Sequence, residues 1–376
     1  MVFAVVTGGG TSGHVVPAMA ILEALEDAGY PTDMLRYVGT KRGIENTLMK
    51  SSPVESAFLP ISGLQRSWRP SKVLQNLLLP FRLSNATSLA SELLRKWNPN
   101  IVISVGGYGS EPMARAARKA RIPVMCVSYD RVPGLATKKQ QYYAVCCAVA
   151  FEDSTLRNAR YVGTPIRRSI RQLDRTAQRP LACREFDIPE HCRVVTVVGG
   201  SLGSGLLNDS VESILQEIQA KQLRDVAVVH VCGKRFSSQP EPHVPDGVVY
   251  RRVEYVDRMA DLYAATDVLV SRAGASTIAE IAAVGLAAIV VPWKDASDNH
   301  QELNARWLAD PSAAIMMSER ECKDGYLGKE VCSLLQNNEV RTDMATRAFE
   351  MGEIHRGSSL VDLIRRVSYD RKSKEQ

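Results

Sequence analysis

The sequence predicts an α/β chain of two domains, each a parallel sheet wrapped by helices. Three observations carry that expectation. The chain has 376 residues, and roughly 100–200 residues per domain leaves room for two. Short β-branched runs alternate with longer amphipathic stretches, the pattern of parallel strands joined by helices. The pattern then restarts midway. Val5-Val-Thr-Gly-Gly-Gly-Thr-Ser-Gly13 and Val197-Val-Gly-Gly-Ser-Leu-Gly-Ser-Gly205 are both a strand running into a glycine-rich turn.

Val2–Val6, Met34–Val38, Ile101–Val105 and Pro123–Val127 read as strands of the first sheet. Ala18–Ala28, Ser84–Lys96 and Met113–Lys119 read as helices between them. Arg193–Val198, Val226–Val231, Val268–Ser271 and Ala288–Val291 read as strands of the second. The boundary is expected near Gly163-Thr-Pro165, with a linker through the charged stretch Arg167–Arg184. That gives domains at 1–164 and 165–349, and a helix at about 350–370 expected to return to the first domain. Two such units are expected to open a cleft at the carboxyl ends of their strands.

Composition narrows the class. Apolar residues make up 45% of the chain, enough for two cores, and 47 Lys+Arg against 41 Asp+Glu leave a net charge of only +6. That is too mild to point to nucleic acid. No run of about 18 apolar residues predicts a spanning helix. The N-terminus enters a strand-like run at once, without the charged and apolar segments of a signal peptide. The eight cysteines contain no C-x-x-C pair, so buried, reduced thiols of a cytoplasmic protein are expected.

Gly8, Gly10 and Gly13 fit G-x-G-x-x-G. A dinucleotide site also needs an acid about 20 positions on, at the end of the second strand. That strand ends Arg36-Tyr-Val-Gly-Thr40, without one. His14 follows the loop at a helix start, where the dipole favours the neutral imidazole; it can polarise a phosphate, accept a proton, or simply cap the helix. The second loop, Gly199–Gly205, can wrap backbone amides around phosphate. Arg272 can neutralise a diphosphate. Glu280 can take both hydroxyls of a ribose, or close a capping box with Thr277. No D-x-D sequence suggests a bridging metal, so leaving-group charge is expected to fall on amides, dipoles and arginine.

Taken together, these motifs resemble the MurG family, the UDP-GlcNAc transferases that complete lipid II. The marks run in order through Gly9-Gly-Thr-Ser-Gly-His14, Ile61-Ser-Gly-Leu64, Gly106-Gly-Tyr-Gly-Ser110, Gly163-Thr-Pro-Ile-Arg167, Gly199-Gly-Ser-Leu-Gly203, Tyr255-Val-Asp-Arg-Met259, Arg272-Ala-Gly-Ala275 with Glu280, and Asp298-Asn-His-Gln301 with Asn304. The resemblance implies a GT-B fold and an inverting, metal-independent transfer, with the donor in the second domain and the acceptor in the first. It puts uracil against Val256 and Met259 with Arg167 nearby, and the ribose on Glu280. It puts phosphates on Thr11, Gly13, Ser201, Gly203 and Ser204 beside Arg272 and Ala275, and the sugar near His300, Gln301 and Asn304. Tyr108 falls on the acceptor side. His14 and Asp130 are the candidate bases.

The chain departs from the family where the first domain reaches the sugar. Ser128-Tyr-Asp-Arg131 stands in place of His-Glu-Gln-Asn, Leu202 replaces a glutamine, and Glu111 replaces a glycine. Arg131 suits a carboxylate, which raises a UDP-glucuronic acid donor beside UDP-GlcNAc. A glycosyltransferase of antibiotic or glycolipid biosynthesis, a UDP-sugar 2-epimerase and a non-catalytic UDP-sugar binder are the other readings. Between Leu64 and Arg82, Trp68, Leu77, Leu78 and Phe81 are mixed with Arg66, Arg69 and Lys72, as in an interfacial segment. The expected partners are thus a UDP-sugar, a lipid-linked acceptor and the inner face of the cell membrane, with no cofactor.

Overall fold

A computed structural model of the chain describes residues 2–41, 45–63, 79–200, 202–296 and 299–372. It comprises two compact units, Met1–Arg168 with Gly357–Gln376, and Ser169–Arg356.

In the first unit the described strands are β1 (Ala4–Thr7), β2 (Leu35–Thr40), β3 (Glu55–Leu59), β4 (Ile101–Ser104), β5 (Val124–Ser128), β6 (Cys146–Val149) and β7 (Ala159–Tyr161). They form one parallel sheet in the order β3-β2-β1-β4-β5-β6-β7. Its helices include α1 (Ser12–Asp27), α2 (Leu79–Trp97) and α3 (Glu111–Lys119). Strands β1 and β4 are buried at every position, because a parallel sheet with helices on both faces has no wet side. Thr7 aligns with Val38 on one side and Ser104 on the other. The turns after β1 and β4 therefore emerge together, where the strand order reverses.

The second unit repeats the plan with β8 (Arg193–Val198), β9 (Val226–Val231), β10 (Val248–Val253), β11 (Val268–Ser271), β12 (Ala287–Val290) and β13 (Ile315–Met316), in the order β10-β9-β8-β11-β12-β13. Its helices include α4 (Gly205–Ala220), α5 (Met259–Ala265), α6 (Ala275–Val284), α7 (His300–Ala309), α8 (Glu319–Lys323), α9 (Tyr326–Gln336) and α10 (Asn338–Met351). Leu207, Val211, Ile214, Leu215 and Ile218 are spaced along one face of α4 and pack on Val195, Val197 and Val228 of the sheet. Val198 aligns with Val231 and with Ser271. The turns after β8, β9 and β11 thus converge at one end of the sheet.

The unit boundaries differ from the expected ones, for visible reasons. Arg167 ion-pairs with Glu23 at 2.7 Å, and Arg168 with Glu26 at 2.9 Å and Asp27 at 2.6 Å. These pairs hold residues 165–168 to α1, so the first unit runs past Thr164. The second unit keeps α10 and continues to Arg356 rather than ending at 349. A Cβ on Gly352 would lie 2.2 Å from the Ala282 carbonyl, and Arg356 donates to the Ala283 carbonyl at 3.0 Å. Helix α11 (Ser359–Lys372) belongs to the first unit, where Arg365 donates to the Ala28 carbonyl at 2.8 Å.

The stretch read as a linker is largely folded. A helix spans Arg175–Glu185 and is capped by the Asp174 side chain, which accepts from Ala177 N at 3.0 Å. Its arginines serve neighbouring helix ends: Arg179 donates to the Ala265 carbonyl of α5 at 2.9 Å, and Arg175 to the Gly285 carbonyl after α6 at 3.0 Å. Cations at carbonyl ends satisfy orphan acceptors and oppose the helix dipole. All eight cysteines are buried and unpaired.

Two buried histidines make the second unit acid-sensitive. His230 bonds Tyr250 Oη at 2.9 Å and Asn208 Oδ1 at 3.0 Å; burial, then Arg252, lowers its pKa to about 4. His355 packs on Trp307 and is likewise lowered to about 4, by burial and then Arg356. Both stay neutral in the fold down to about pH 4, whereas the unfolded chain protonates them near pH 6.5. Stability is therefore complete above pH 6.5 and lost as pH falls towards 4, by on the order of 2–3 kcal/mol per histidine. Urea midpoints measured from pH 8 to 4 should be flat above pH 7 and fall below 6.5. His230→Gln should reduce that slope; an unchanged slope would contradict the assignment.

Candidate active site

The converging turns of the second unit enclose a cavity of about 630 Å³. Its floor is the glycine loop after β8. Gly203 has φ +78°, and a Cβ there would lie 2.2 Å from the Cys232 carbonyl, so only glycine fits between this loop and the turn after β9. Ser204 caps α4, its hydroxyl accepting from Leu207 N at 3.5 Å. The loop and the amino end of a 16-residue helix thus line the cavity, and a helix start favours anions.

Arg272 follows β11 and ties this floor to two other elements. Its guanidinium donates to Ser204 Oγ at 3.1 Å, to the Val291 and Pro292 carbonyls at 3.2 and 3.3 Å, and pairs with Glu319 of α8 at 2.7 Å. On the cavity's other side Glu280 Oε2 accepts from Tyr263 Oη at 2.8 Å. Tyr263 is fully buried, and burial followed by the Glu280 charge drives its pKa far up, so its hydroxyl remains a donor. The capping-box reading of Glu280 does not hold. Helix α6 starts at Ala275 after Gly274 as N-cap, without a side-chain cap, which puts Glu280 in its second turn. Val256 and Met259 add an apolar patch to the lining.

The first glycine loop is built differently. Glu45, fully buried, accepts from Thr40 N at 2.8 Å, Thr40 Oγ1 at 2.6 Å and Gly10 N at 3.2 Å. The Gly10 amide is already committed to a side chain of the protein's own. His14 Nδ1 lies 2.9 Å from Thr11 Oγ1. Burial lowers the His14 pKa and the Glu45 charge partly restores it. Tyr129 Oη donates to the Gly13 carbonyl, and the Tyr108 ring lies where a Cβ on Gly10 or Gly63 would fall. Among the described residues, no three of His, Cys, Asp and Glu are grouped as metal ligands would be.

Residues 4–148 match the N-terminal domain of glycosyltransferase family 28, and residues 194–359 its C-terminal domain. The UDP-N-acetylglucosamine–N-acetylmuramyl-(pentapeptide) pyrophosphoryl-undecaprenol N-acetylglucosamine transferase of Paenarthrobacter aurescens is 34% identical over 96% of this chain and 95% of its own. The enzyme of the same name from Streptomyces coelicolor is 33% identical over 96% of both chains. The crystal structure of Acinetobacter baumannii MurG is 25% identical, with a TM-score of 0.73 over 98% of this chain and 100% of that one. The chain belongs to the MurG family of family 28 glycosyltransferases. Its two parallel-sheet, Rossmann-like units are the GT-B fold of those enzymes.

Of the MurG-type donor residues expected from sequence, Gly203, Ser204, Val256, Met259, Arg272, Glu280 and Gln301 line the cavity. Ala275 is buried as the first residue of α6. Asn304 is wholly buried and donates to the Ala273 carbonyl at 3.2 Å, supporting the turn that carries Arg272. His300 opens α7. Thr11, Gly13, His14, Tyr108, Asp130, Arg131 and Arg167 belong to the first unit. Arg167 is held by Glu23 on α1. Arg131 pairs with Asp153 and lies 5.1 Å over the Phe151 ring. Arg131 is thus tied within the first unit, and the relatives that the chain matches are named for UDP-N-acetylglucosamine. Ser201, Trp68, Leu77 and Leu78 lie outside the described residues. Phe81 is exposed on α2.

Sequence reasoning missed Glu45, Tyr263 and Trp293. The search for an acid after β2 stopped at Thr40, five residues short of Glu45. Tyr263 falls one helical turn after Met259 and carried no motif of its own. The glycine loop offers a paired test. Gly200 has φ +84° but open space for a Cβ, whereas Gly203 combines φ +78° with a backbone clash. Gly200→Ala should cost about 1 kcal/mol and Gly203→Ala more than about 2 kcal/mol, read from urea unfolding. Equal costs would show that close packing does not set this loop.

Proposed function

We propose that this MurG-family chain transfers N-acetylglucosamine from UDP-GlcNAc to a muramyl-pentapeptide acceptor on a polyprenyl diphosphate. One-third identity along nearly the whole length of transferases bearing that name carries the reading. The cavity of the second unit supports it. Val256 and Met259 suit a uracil, Glu280 the ribose hydroxyls, and the Gly199–Ser204 loop with Arg272 the diphosphate. Tyr263 keeps the Glu280 carboxylate aimed, so its order is established before the ligand arrives.

In this reading His14 is the base. Its depressed pKa keeps the imidazole neutral at pH 7. With Thr11 accepting from Nδ1–H, the Nε2 lone pair is left for the acceptor hydroxyl. The hydroxyl oxygen bonds to the anomeric carbon from the side opposite the diphosphate. The bond from that carbon to phosphate oxygen breaks, UDP leaves with the electron pair, and the proton goes to His14. The product has inverted configuration. Amides, the α4 dipole and Arg272 carry the leaving charge without a metal. Association with the membrane is peripheral in this reading, with Phe81 as the exposed apolar side chain at the start of α2. No helix among the described residues is long and apolar enough to cross a membrane.

A transfer assay with labelled UDP-GlcNAc and a lipid-linked muramyl acceptor tests this. Glu280→Ala should weaken UDP by on the order of 1.5–3 kcal/mol in calorimetry. His14→Ala should lower turnover about 10²–10⁴-fold and leave UDP affinity intact. EDTA should leave turnover unchanged. Consumption of UDP-GlcNAc without acceptor, giving its 2-epimer, would replace the transferase reading with an epimerase. Loss of turnover in EDTA that magnesium restores would remove the metal-free mechanism.

A further inference from the structure

One wall of the cavity comes from the segment just after β12. Trp293 lines it and is 48% exposed. Its backbone is pinned at both ends. Trp293 N donates to Gln301 Oε1 at 3.0 Å, and its carbonyl accepts from Ala296 N at 3.1 Å. The two preceding carbonyls, Val291 and Pro292, are held by Arg272.

These contacts fix where the indole stands along the donor. The groups suited to base and ribose come from Val256–Tyr263 and from Glu280. Trp293 is instead tied to Arg272, the cation suited to the diphosphate. Beyond the diphosphate of a UDP-sugar stands the pyranose, whose ring C–H groups form an apolar face that fits flat against an aromatic ring. We propose that Trp293 is the platform for the donor's pyranose, and that Gln301 is a positioning residue that sets it. This rests on the UDP-sugar reading of the same cavity. Gln301 then acts on the sugar through the indole, its side-chain carbonyl being committed to Trp293 N.

The test uses the intact chain, titrated with UDP and with UDP-GlcNAc, by calorimetry and by tryptophan fluorescence. Trp293→Ala should weaken UDP-GlcNAc about tenfold and UDP less than about twofold. In the wild type UDP-GlcNAc should change the tryptophan emission more than UDP does, and Trp293→Phe should abolish the difference. Gln301→Ala should weaken UDP-GlcNAc and shrink the same fluorescence response. Equal losses for UDP and UDP-GlcNAc in Trp293→Ala, or no loss for either, overturn the platform while UDP binding itself still stands. A wild type that binds neither ligand overturns the donor reading and the platform with it. Weaker UDP-GlcNAc binding in Gln301→Ala with an unchanged indole response overturns the positioning role of Gln301.

Discussion

The guanidinium of Arg272 is the junction on which the second unit's site depends. It joins the cap of α4, the turn after β12 and the carboxylate of α8. Each of those elements contributes a different wall. Ser204 belongs to the loop suited to phosphate, Val291 and Pro292 lead into Trp293, and Glu319 anchors the cation from behind. An arginine fork can hold several acceptors at fixed angles, which a point charge cannot. The site's geometry is therefore established by the protein before a ligand enters.

The two glycine loops show how similar sequences can serve different ends. Both come after the first strand of a parallel sheet, and both open at a point where strand order reverses. The second loop and the helix start behind it line a cavity. In the first, Glu45 reaches in from the segment after β2 and takes the Gly10 amide. An internal carboxylate there disfavours a second anion at the same loop.

Much of this was legible in the sequence because strands buried on both faces read as plain β-branched runs. Arg193–Val198, Val226–Val231 and Val268–Ser271 are strands with the expected bounds. The edge strands β3, β7, β10 and β13, and β6 beside β7, were not legible. The β10 sequence Val248-Val-Tyr-Arg-Arg-Val253 carries two arginines and is half-buried throughout, and β6 is short, with two cysteines and an alanine. The charged stretch after Arg167 reads as a linker from composition alone. Its arginines are instead caps for distant helix ends, a role that depends on tertiary partners. Cavity residues announced by a motif were found, whereas Tyr263, Glu45 and Trp293 act through contacts that no local spacing encodes.

Family membership rests on the whole chain, whereas the chemistry rests on a few contacts that the fold holds ready. The central claim is that the second unit's site is pre-arranged around Arg272 by geometry, with charge alone insufficient. Calorimetric titration of UDP into Arg272→Lys tests it most directly, because lysine keeps the charge and loses the fork. Arg272→Lys should lose at least about tenfold in UDP affinity and unfold at a lower midpoint. Wild-type affinity in Arg272→Lys would contradict the claim.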